Sequence, residues 1–308
     1  MQAVRTLLDG ILDYAGLFPP AKLEMGPAVR NYGRYLAGPE SWFLGRLVLP
    51  VARFEEFEGE AASLLPKVEG PIHDQAWGIT ALTAPAGDPQ FARDMELIQR
   101  FNERHAAEGA GGALVDCIEV KAAGPREIDA AIEEVLDELF PYFEIAASSD
   151  PRGQIAVLAG LDAGAKIRTG GLTKDAHPTP AEVARFLAAC AAADVPFKAT
   201  AGLHHPLRHD AADVGCKQHG FLNVFVAASF LYHEKIDEAA CAELLAEESP
   251  AAIRIADDGV AWRDRRLTTG ELRAARESFA HAFGSCSFEE PLADCKAMGL
   301  LRAEAATR

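Results

Sequence analysis

Basic residues interrupt two apolar segments of the sequence at a spacing that could bring amines together. Lys166 and Arg168 flank Ile167 in one segment. Lys198 precedes Thr200 by two positions in another. Because side chains alternate across a β-strand, residues two apart lie on one face. The two members of each pair are therefore expected to point the same way.

Clustered amines can do covalent chemistry or bind anions. A lysine is a nucleophile only when it is deprotonated, and both burial and a neighbouring cation lower its pKa. If Lys166, Arg168 and Lys198 lie on adjacent strands, their repulsion would leave a neutral amine that attacks a carbonyl and forms a Schiff base. The same cations could instead hold a substrate carboxylate or phosphate. The lysines favour the covalent interpretation, and Arg168 fits either.

Two glutamates stand between apolar residues in further strand-like segments. Glu119 lies in Ile-Glu-Val-Lys and Glu144 in Phe-Glu-Ile. Because the apolar neighbours must pack under helices, both carboxylates are expected on the opposite face of the sheet. There they could move protons for a reacting lysine. Alternatively, they merely neutralise Lys121, Lys166 and Arg168 in a structural network.

Residues in the adjoining loops complete the set of candidates. His204 and His205 follow the segment that carries Lys198, and they could move protons, contact substrate, bind a metal or simply lie on the surface. Asp13 stands near the end of the first strand-like segment and could face the same site. Gly170 and Gly171 could bring backbone N–H groups to an anion.

The elements that would position these residues alternate between strand-like and helix-like segments. This alternation predicts a parallel sheet with crossover helices. The candidate strands are 11–18, 45–50, 76–84, 115–122, 142–147, 165–170, 197–202 and 222–228. Eight strands are what a closed (β/α)8 barrel needs, and such barrels carry their active sites at the carboxyl ends of the strands. The charged faces should therefore point into the barrel.

The pattern changes after about residue 232. We expect residues 1–233 to form the (β/α)8 barrel domain and residues 234–308 a C-terminal extension packed on it. Within the extension, the pattern predicts a helix over 237–247, a β-hairpin around Asp257-Asp258-Gly259 and a capping box that begins at Thr268. A stronger capping box begins at Thr179, with proline at the first helical position.

Composition narrows the classes of partner. The formal net charge of −16 argues against nucleic acid and against anionic lipid, because both need a basic surface. Six cysteines without a CxxC pair are typical of buried thiols in a reducing compartment. No apolar stretch approaches the ~20 residues of a membrane span, and the N-terminus lacks a signal-like pattern. We expect a cytoplasmic protein that binds a small molecule, and a homo-oligomer stays open.

Three short segments resemble class I aldolases of the deoxyribose-phosphate aldolase type. They are 143–146, 166–171 and 197–202, which match the family's glutamate-bearing strand, its Schiff-base lysine strand and the strand with its second lysine. The resemblance implies that Lys166 is the nucleophile and Lys198 its electrostatic partner. It also implies an acidic proton relay at Asp116 or Glu119. His204 and His205 stand where the family has a phosphate-binding loop, so a phosphorylated sugar is not expected.

Three functions follow from these patterns. The leading hypothesis is a lyase of aldolase type that needs no cofactor and acts on a small carbonyl compound with a carboxylate. In it Lys166 forms the imine, Lys198 tunes it, Arg168 holds the anion, and Glu119 or His204 moves protons. The second is a metal-dependent hydrolase, lyase or isomerase with a divalent metal on Glu119, Glu144, His204 and His205. The third is a barrel that binds a small molecule without catalysis.

Overall fold

The computed structural model describes residues 2–72 and 75–301. The strands, in chain order, are β1 (Leu12–Tyr14), β2 (Leu44–Pro50), β3 (Trp77–Leu82), β4 (Ala113–Lys121), β5 (Phe140–Ile145), β6 (Gly164–Arg168), β7 (Phe197–Thr200), β8 (His209–Ala211), β9 (Cys216–Gln218), β10 (Ile253–Ala256), β11 (Gly259–Trp262), β12 (Arg265–Thr268) and β13 (Ala280–Ser285). Eight of them close a parallel barrel in the order β1-β13-β7-β6-β5-β4-β3-β2. The predicted (β/α)8 fold class is therefore confirmed.

Helices cover the outside of the barrel. They are α1 (Gln2–Leu8), α2 (Met25–Leu36), α3 (Phe54–Ala61), α4 (Pro89–Ala106), α5 (Pro125–Ile132), α6 (Arg152–Leu158), α7 (Pro180–Ala192), α8 (Phe221–Tyr232), α9 (Glu238–Leu245), α10 (Thr269–Ser278) and α11 (Glu289–Ala297). None of the helices within residues 2–72 and 75–301 combines the length and the hydropathy needed to cross a membrane.

Local sequence signals explain where several helices begin. At the start of α7, the Thr179 hydroxyl accepts a hydrogen bond from the backbone N–H of Glu182, and the Glu182 carboxylate accepts one from the backbone N–H of Thr179. The capping box predicted at Thr268 is also present, at the start of α10. Such reciprocal bonds satisfy N–H groups that the first turn of a helix leaves free. Both predicted capping boxes are therefore confirmed.

The predicted eighth strand is wrong. Residues 222–228 lie in α8, in which every residue from Phe221 to Leu231 is buried. A helix buried on all sides shows no apolar periodicity, so its sequence cannot be distinguished from that of a buried strand. The strand that closes the barrel is β13, which pairs with β7 on one side and β1 on the other.

The boundary expected at residue 233 therefore divides the barrel. β13 belongs to residues 234–308, the segment that was expected to pack outside the barrel. Residues 302–308 of that segment lie outside the described residues. The remainder of that segment follows the prediction more closely. The hairpin around Asp257-Asp258-Gly259 is formed by β10 and β11, and β12 extends it to a three-stranded sheet.

Candidate active site

Lys166 projects from β6 into the barrel interior and is 5% exposed. Its Nζ contacts Oε2 of Glu119 and lies 3.0 Å from Oε2 of Glu144. Glu144 is on the neighbouring strand β5, whereas Glu119 is on β4, which is not adjacent to β6. The contact with Glu119 therefore crosses the interior. The inward orientation expected for these charged side chains is present.

Lys198 lies deeper, at 1% exposure. Its Nζ is 2.5 Å from Oδ2 of Asp13 on β1 and 2.7 Å from Oε1 of Glu119. Asp13 also accepts hydrogen bonds from the Thr80 hydroxyl, at 3.1 Å, and from the backbone N–H of Arg46, at 2.7 Å. Five side chains are thus linked by ion pairs, and we call them the ion cluster: Asp13, Glu119, Glu144, Lys166 and Lys198.

The charges in the ion cluster correct the expected mechanism of lysine activation. Burial alone lowers the pKa of Lys198, but the Asp13 and Glu119 carboxylates outweigh it and hold that pKa well above its usual value. Burial likewise raises the pKa of Glu119, but Lys166 and Lys198 outweigh it and lower that pKa to about 2. Lys198 therefore stays charged. The expectation that repulsion between cations leaves a neutral amine does not hold for Lys198, because Glu119 lies between the two amines.

A cavity of about 780 Å³ opens at the carboxyl ends of the barrel strands. The predicted site residues that line it are Glu119, Lys166, Arg168, Gly171, Thr200, His204 and His205. Four other predicted site residues, Asp13, Glu144, Gly170 and Lys198, are not part of its lining. The cavity lies where barrel enzymes hold their substrates.

Lys166 and Lys198 line cavities at opposite ends of the barrel. A second cavity, of about 500 Å³, is lined by Lys198 and Asp13 together with Phe140 and His281, which stand at the beginnings of β5 and β13. It therefore lies toward the amino ends of the strands. The expectation that both amines face one shared cavity is wrong, and what they share is the Glu119 carboxylate.

Arg168 also lines the first cavity, but it differs from the two lysines in exposure and in pairing. Its side chain is exposed, and it forms no ion pair with any residue in 2–72 or 75–301. The structural network considered for the glutamates therefore includes Lys166 but not Arg168. Lys121, the third cation of that network, is exposed at the end of β4. A guanidinium without a protein partner in a cavity is suited to bind a carboxylate.

The two histidines sit at the rim of the cavity against α11. Nδ1 of His204 is 2.8 Å from Oε2 of Glu290, and Nδ1 of His205 is 2.5 Å from Oδ2 of Asp294. On its other side, Nε2 of His204 is 3.8 Å from Sγ of Cys286. Both rings are therefore oriented by carboxylates of the same helix.

The four residues considered as metal ligands do not form one cluster. Glu119 and Glu144 contact Lys166, whereas His204 and His205 contact the α11 carboxylates. Within residues 2–72 and 75–301, no group of three or more His, Cys, Asp or Glu side chains has an arrangement that could hold a metal ion. The donor set expected for the metal-dependent alternative is thus not assembled.

Close backbone packing explains the glycines near the site. A Cβ on Gly170 would lie 2.9 Å from Cα of Gly202, so the loops that follow β6 and β7 can touch only because both residues lack a side chain. Gly202 also has a φ of +74°, which glycine adopts most easily. Of the two glycines expected to face an anion, Gly171 lines the cavity, and Gly170 serves the loop contact.

Sequence reasoning missed the rim on the far side of the cavity. Cys286 and Glu290 line it, and so do His209 and Asp210 of the β8–β9 hairpin. The signal was present in Gly-Ser-Cys at 284–286, because a strand after α10 would place Cys286 just past its carboxyl end. The apolar run of α8 hides this signal, because it resembles a closing strand.

The structure also distinguishes Asp116 from Glu119, the two acids that the resemblance implies as alternatives for the proton relay. Asp116 forms a bidentate pair with Arg46, with N–O distances of 2.6 and 2.7 Å, and lines the second cavity. Glu119, three residues further along β4, contacts both lysines and lines the first cavity. Glu119 is therefore the acid placed beside Lys166.

Comparison with known proteins adds little to this geometry. No family model matches the chain, and neither does any curated protein. Among solved structures, a malate synthase from Haloferax volcanii, described as native at 3 mM glyoxylate, overlaps 96% of this chain and 80% of its own. The sequence identity is 12% and the TM-score is 0.37. A likeness of this degree carries no argument about activity.

Proposed function

We propose that the protein is an enzyme, a lyase of aldolase type that makes or breaks a C–C bond in a small carbonyl compound through a Schiff base on Lys166. One observation carries the proposal. Lys166 is a buried amine that reaches a cavity at the carboxyl end of a barrel while two carboxylates contact its Nζ. The partial resemblance to class I aldolases points to the same lysine.

The cost of the ion cluster favours a function over a purely structural role. Barrel interiors are normally filled by branched aliphatic side chains, which need no compensating partners. Burying several charges incurs a desolvation penalty that ion pairing often fails to offset. A chain that needed only a packed barrel would gain stability from aliphatic residues at these positions. The charges are better explained by chemistry at Lys166.

The two carboxylates beside Lys166 suit different tasks. Glu119 is shared with Lys198, and its pKa of about 2 makes it a weak proton acceptor. Glu144 contacts Lys166 alone and is less deeply buried. We therefore assign Glu144 as the group that takes the proton from the Lys166 ammonium when a carbonyl substrate enters. Glu119 stays ionised and orients the amine.

The same carboxylates would stabilise the intermediate. The neutral amine adds to the carbonyl carbon, and the resulting hydroxyl leaves as water with the proton that Glu144 returns. The product is an iminium ion that carries the same single positive charge as the starting ammonium. Glu119 can therefore form the same ion pair with the starting ammonium and with the iminium. The hydroxyl of the departing fragment then gives its proton to Glu144 and becomes a carbonyl, and the iminium accepts the electron pair of the breaking C–C bond and becomes an enamine. Return of a proton and addition of water release the product and regenerate Lys166.

Arg168 and Thr200 define the substrate class. Both line the cavity beside Lys166, on the strands β6 and β7. The unpaired guanidinium suits a carboxylate, which it can bind through two parallel hydrogen bonds. We therefore propose a small substrate with one carbonyl and one carboxylate, of which pyruvate is the simplest probe.

The test is reductive trapping. Incubation with pyruvate and borohydride, followed by peptide mass mapping, is expected to place a stable adduct on Lys166. The exposed Lys121 is a matched control because it too lies on a barrel strand, so Lys121→Met should trap as the parent protein does, and Lys166→Met should not. If small ketoacids and aldehydes give no adduct at Lys166, or if trapping persists in Lys166→Met, the imine mechanism is wrong.

A further inference from the structure

Cys286 is the first residue after β13, the strand that closes the barrel, and it lines the same cavity as Lys166. Its Sγ lies 3.8 Å from Nε2 of His204. No other cysteine in the described part of the chain has a hydrogen-bond contact with an imidazole. A buried cysteine that only fills space has no need of such a neighbour.

The imidazole is itself held by a carboxylate. Nδ1 of His204 is 2.8 Å from Oε2 of Glu290, in the first turn of α11. A carboxylate can only accept at that position, so the neutral ring carries its proton on Nδ1 and presents a free electron pair from Nε2. That electron pair faces the thiol. A nucleophile, a base and a group that orients the base therefore stand in line at the edge of a cavity.

From this arrangement we propose that Cys286 is an acyl-accepting nucleophile, with His204 as its base and Glu290 as the residue that positions the base, and that its donor is an ester or thioester held in the cavity. This activity goes beyond the proposed Schiff-base chemistry and does not require Lys166. Burial raises the pKa of the Cys286 thiol, so the resting group is protonated and needs a base before it can react.

The step balances without a further reactant. The thiol proton passes to Nε2 of His204 as the sulfur bonds to the carbonyl carbon. The carbon–oxygen or carbon–sulfur bond of the donor then breaks, and the leaving group departs with its electron pair. The leaving group takes the proton from the imidazolium, which restores neutral His204. In the second half, His204 takes a proton from water as the hydroxide adds to the acyl–cysteine, and it passes that proton to the sulfur as the acid is released.

The experiment uses p-nitrophenyl acetate as the donor. The full-length protein is expected to release p-nitrophenolate in a burst and to carry one acetyl group on Cys286, located by peptide mass mapping. Cys286→Ala should lose the burst. Cys216 is the matched control because it is the described cysteine that is not buried, so Cys216→Ala should keep the burst unchanged.

Substitutions at two further residues test the assigned roles. His204→Gln should slow acetylation about 10²-fold or more, which is the usual contribution of a positioned general base. Should that variant fold poorly, His204→Ala with added imidazole provides the second measurement, because the free base is expected to restore part of the rate. Glu290→Gln should lower the acetylation rate by a smaller factor. Glu290→Asp, which keeps the negative charge, should lower it less than Glu290→Gln does. If the contact were merely structural, the rate would not depend on that charge.

Absence of acetyl–Cys286 in the parent protein, or acetylation at the parent rate in a folded His204→Gln variant, overturns this proposal. The outcome is separate from that of the imine test. Trapping by borohydride maps to Lys166 and acetylation maps to Cys286, so either proposal can fail while the other holds.

Discussion

At the scale of single residues, Glu119 determines the electrostatics of the barrel interior. One carboxylate oxygen contacts Lys166 at the first cavity, and the other contacts Lys198, which lines the second. The carboxylate therefore compensates two buried cations at once. Removing it would leave both ammonium groups with fewer partners in a site from which water is largely excluded, a change that commonly costs several kcal/mol.

The first prediction concerns pH and stability. The folded protein lowers the pKa of Glu119 from 4.5 to about 2, so the ionised form favours the folded state. Its contribution, on the order of a few kcal/mol, is fully present above pH 4.5 and is lost as the pH falls toward 2. Urea unfolding at several pH values should show that the stability gap between the parent and Glu119→Gln is widest near neutral pH and narrows on acidification.

The exposed Glu133 supplies the control, since it has no ion pair within the described residues. Glu133→Gln should follow the parent at every pH. A gap between the parent and Glu119→Gln that stays constant from neutral pH down to pH 2 would show that Glu119 is not the titrating group.

The second prediction concerns Arg168. Hydrogen bonds to charged groups contribute about 1.5–3 kcal/mol, so Arg168→Gln should raise the pyruvate concentration that half-saturates borohydride trapping by roughly ten- to a hundredfold. Arg93, exposed on α4, is the matched control, and Arg93→Gln should leave the half-saturating concentration unchanged. An Arg168→Gln variant that saturates like the parent would remove Arg168 from substrate binding.

At the scale of elements, the ion cluster depends on how closely β2 packs against β1. Gly45 lies on β2, and a Cβ at that position would overlap Oδ1 of Asp13 and come within 2.9 Å of the carbonyl oxygen of Gly10. The missing side chain therefore leaves the space that the Asp13 carboxylate occupies beside Lys198. Strand packing and buried charge are coupled at this single position.

The third prediction follows from that coupling. Gly45→Ala should displace Asp13 from Lys198 and lower the free energy of unfolding by about 1–3 kcal/mol, the usual cost of overpacking. Gly59→Ala in α3 is the control, because no atom apart from its chain neighbours and its own helical backbone lies within 4 Å of the added methyl group, and alanine favours a helix. Urea unfolding of both variants measures the effect. Equal stabilities for Gly45→Ala and the parent would contradict the packing described for β1 and β2.

At the scale of the whole molecule, closure of the barrel depends on a strand that comes late in the sequence. β13 pairs with β7 through four registered positions and with β1 through three. Without it, both neighbours would expose unpaired backbone N–H and C=O groups along one edge. β13 also brings Cys286 to the rim of the cavity, so closing the fold and completing the site are the same event.

The fourth prediction tests this dependence by truncation. A chain of residues 1–233 contains seven of the eight barrel strands and should not fold into a stable unit, because it leaves an open edge on each side of the gap. Circular dichroism and urea titration should show no cooperative transition, in contrast to the full chain. Cooperative unfolding of the 1–233 fragment would mean that the barrel does not need β13.

The sequence by itself determined the class of fold and the inward face of most strands. Period-two alternation around Glu119, Glu144 and Lys166 fixes which side chains share a face, since a one-residue shift would expose the apolar set. Capping residues such as Thr179 fix helix starts for equally local reasons. These features depend on residues within a few positions in the sequence, so they could be predicted without the tertiary structure.

Only the tertiary structure decided which side chains contact one another. The helix α8 resembles a buried strand in sequence because it is apolar on every side, and only packing distinguishes the two. Glu119 stands between Lys166 and Lys198 because β4 lies across the interior from β6 and β7, so local sequence could place the charges but not their order. Cys286, His204 and Glu290 are brought together by closure of the barrel, since their contacts span more than eighty positions. Pairings at such separations depend on the global path of the chain, which local patterns do not encode.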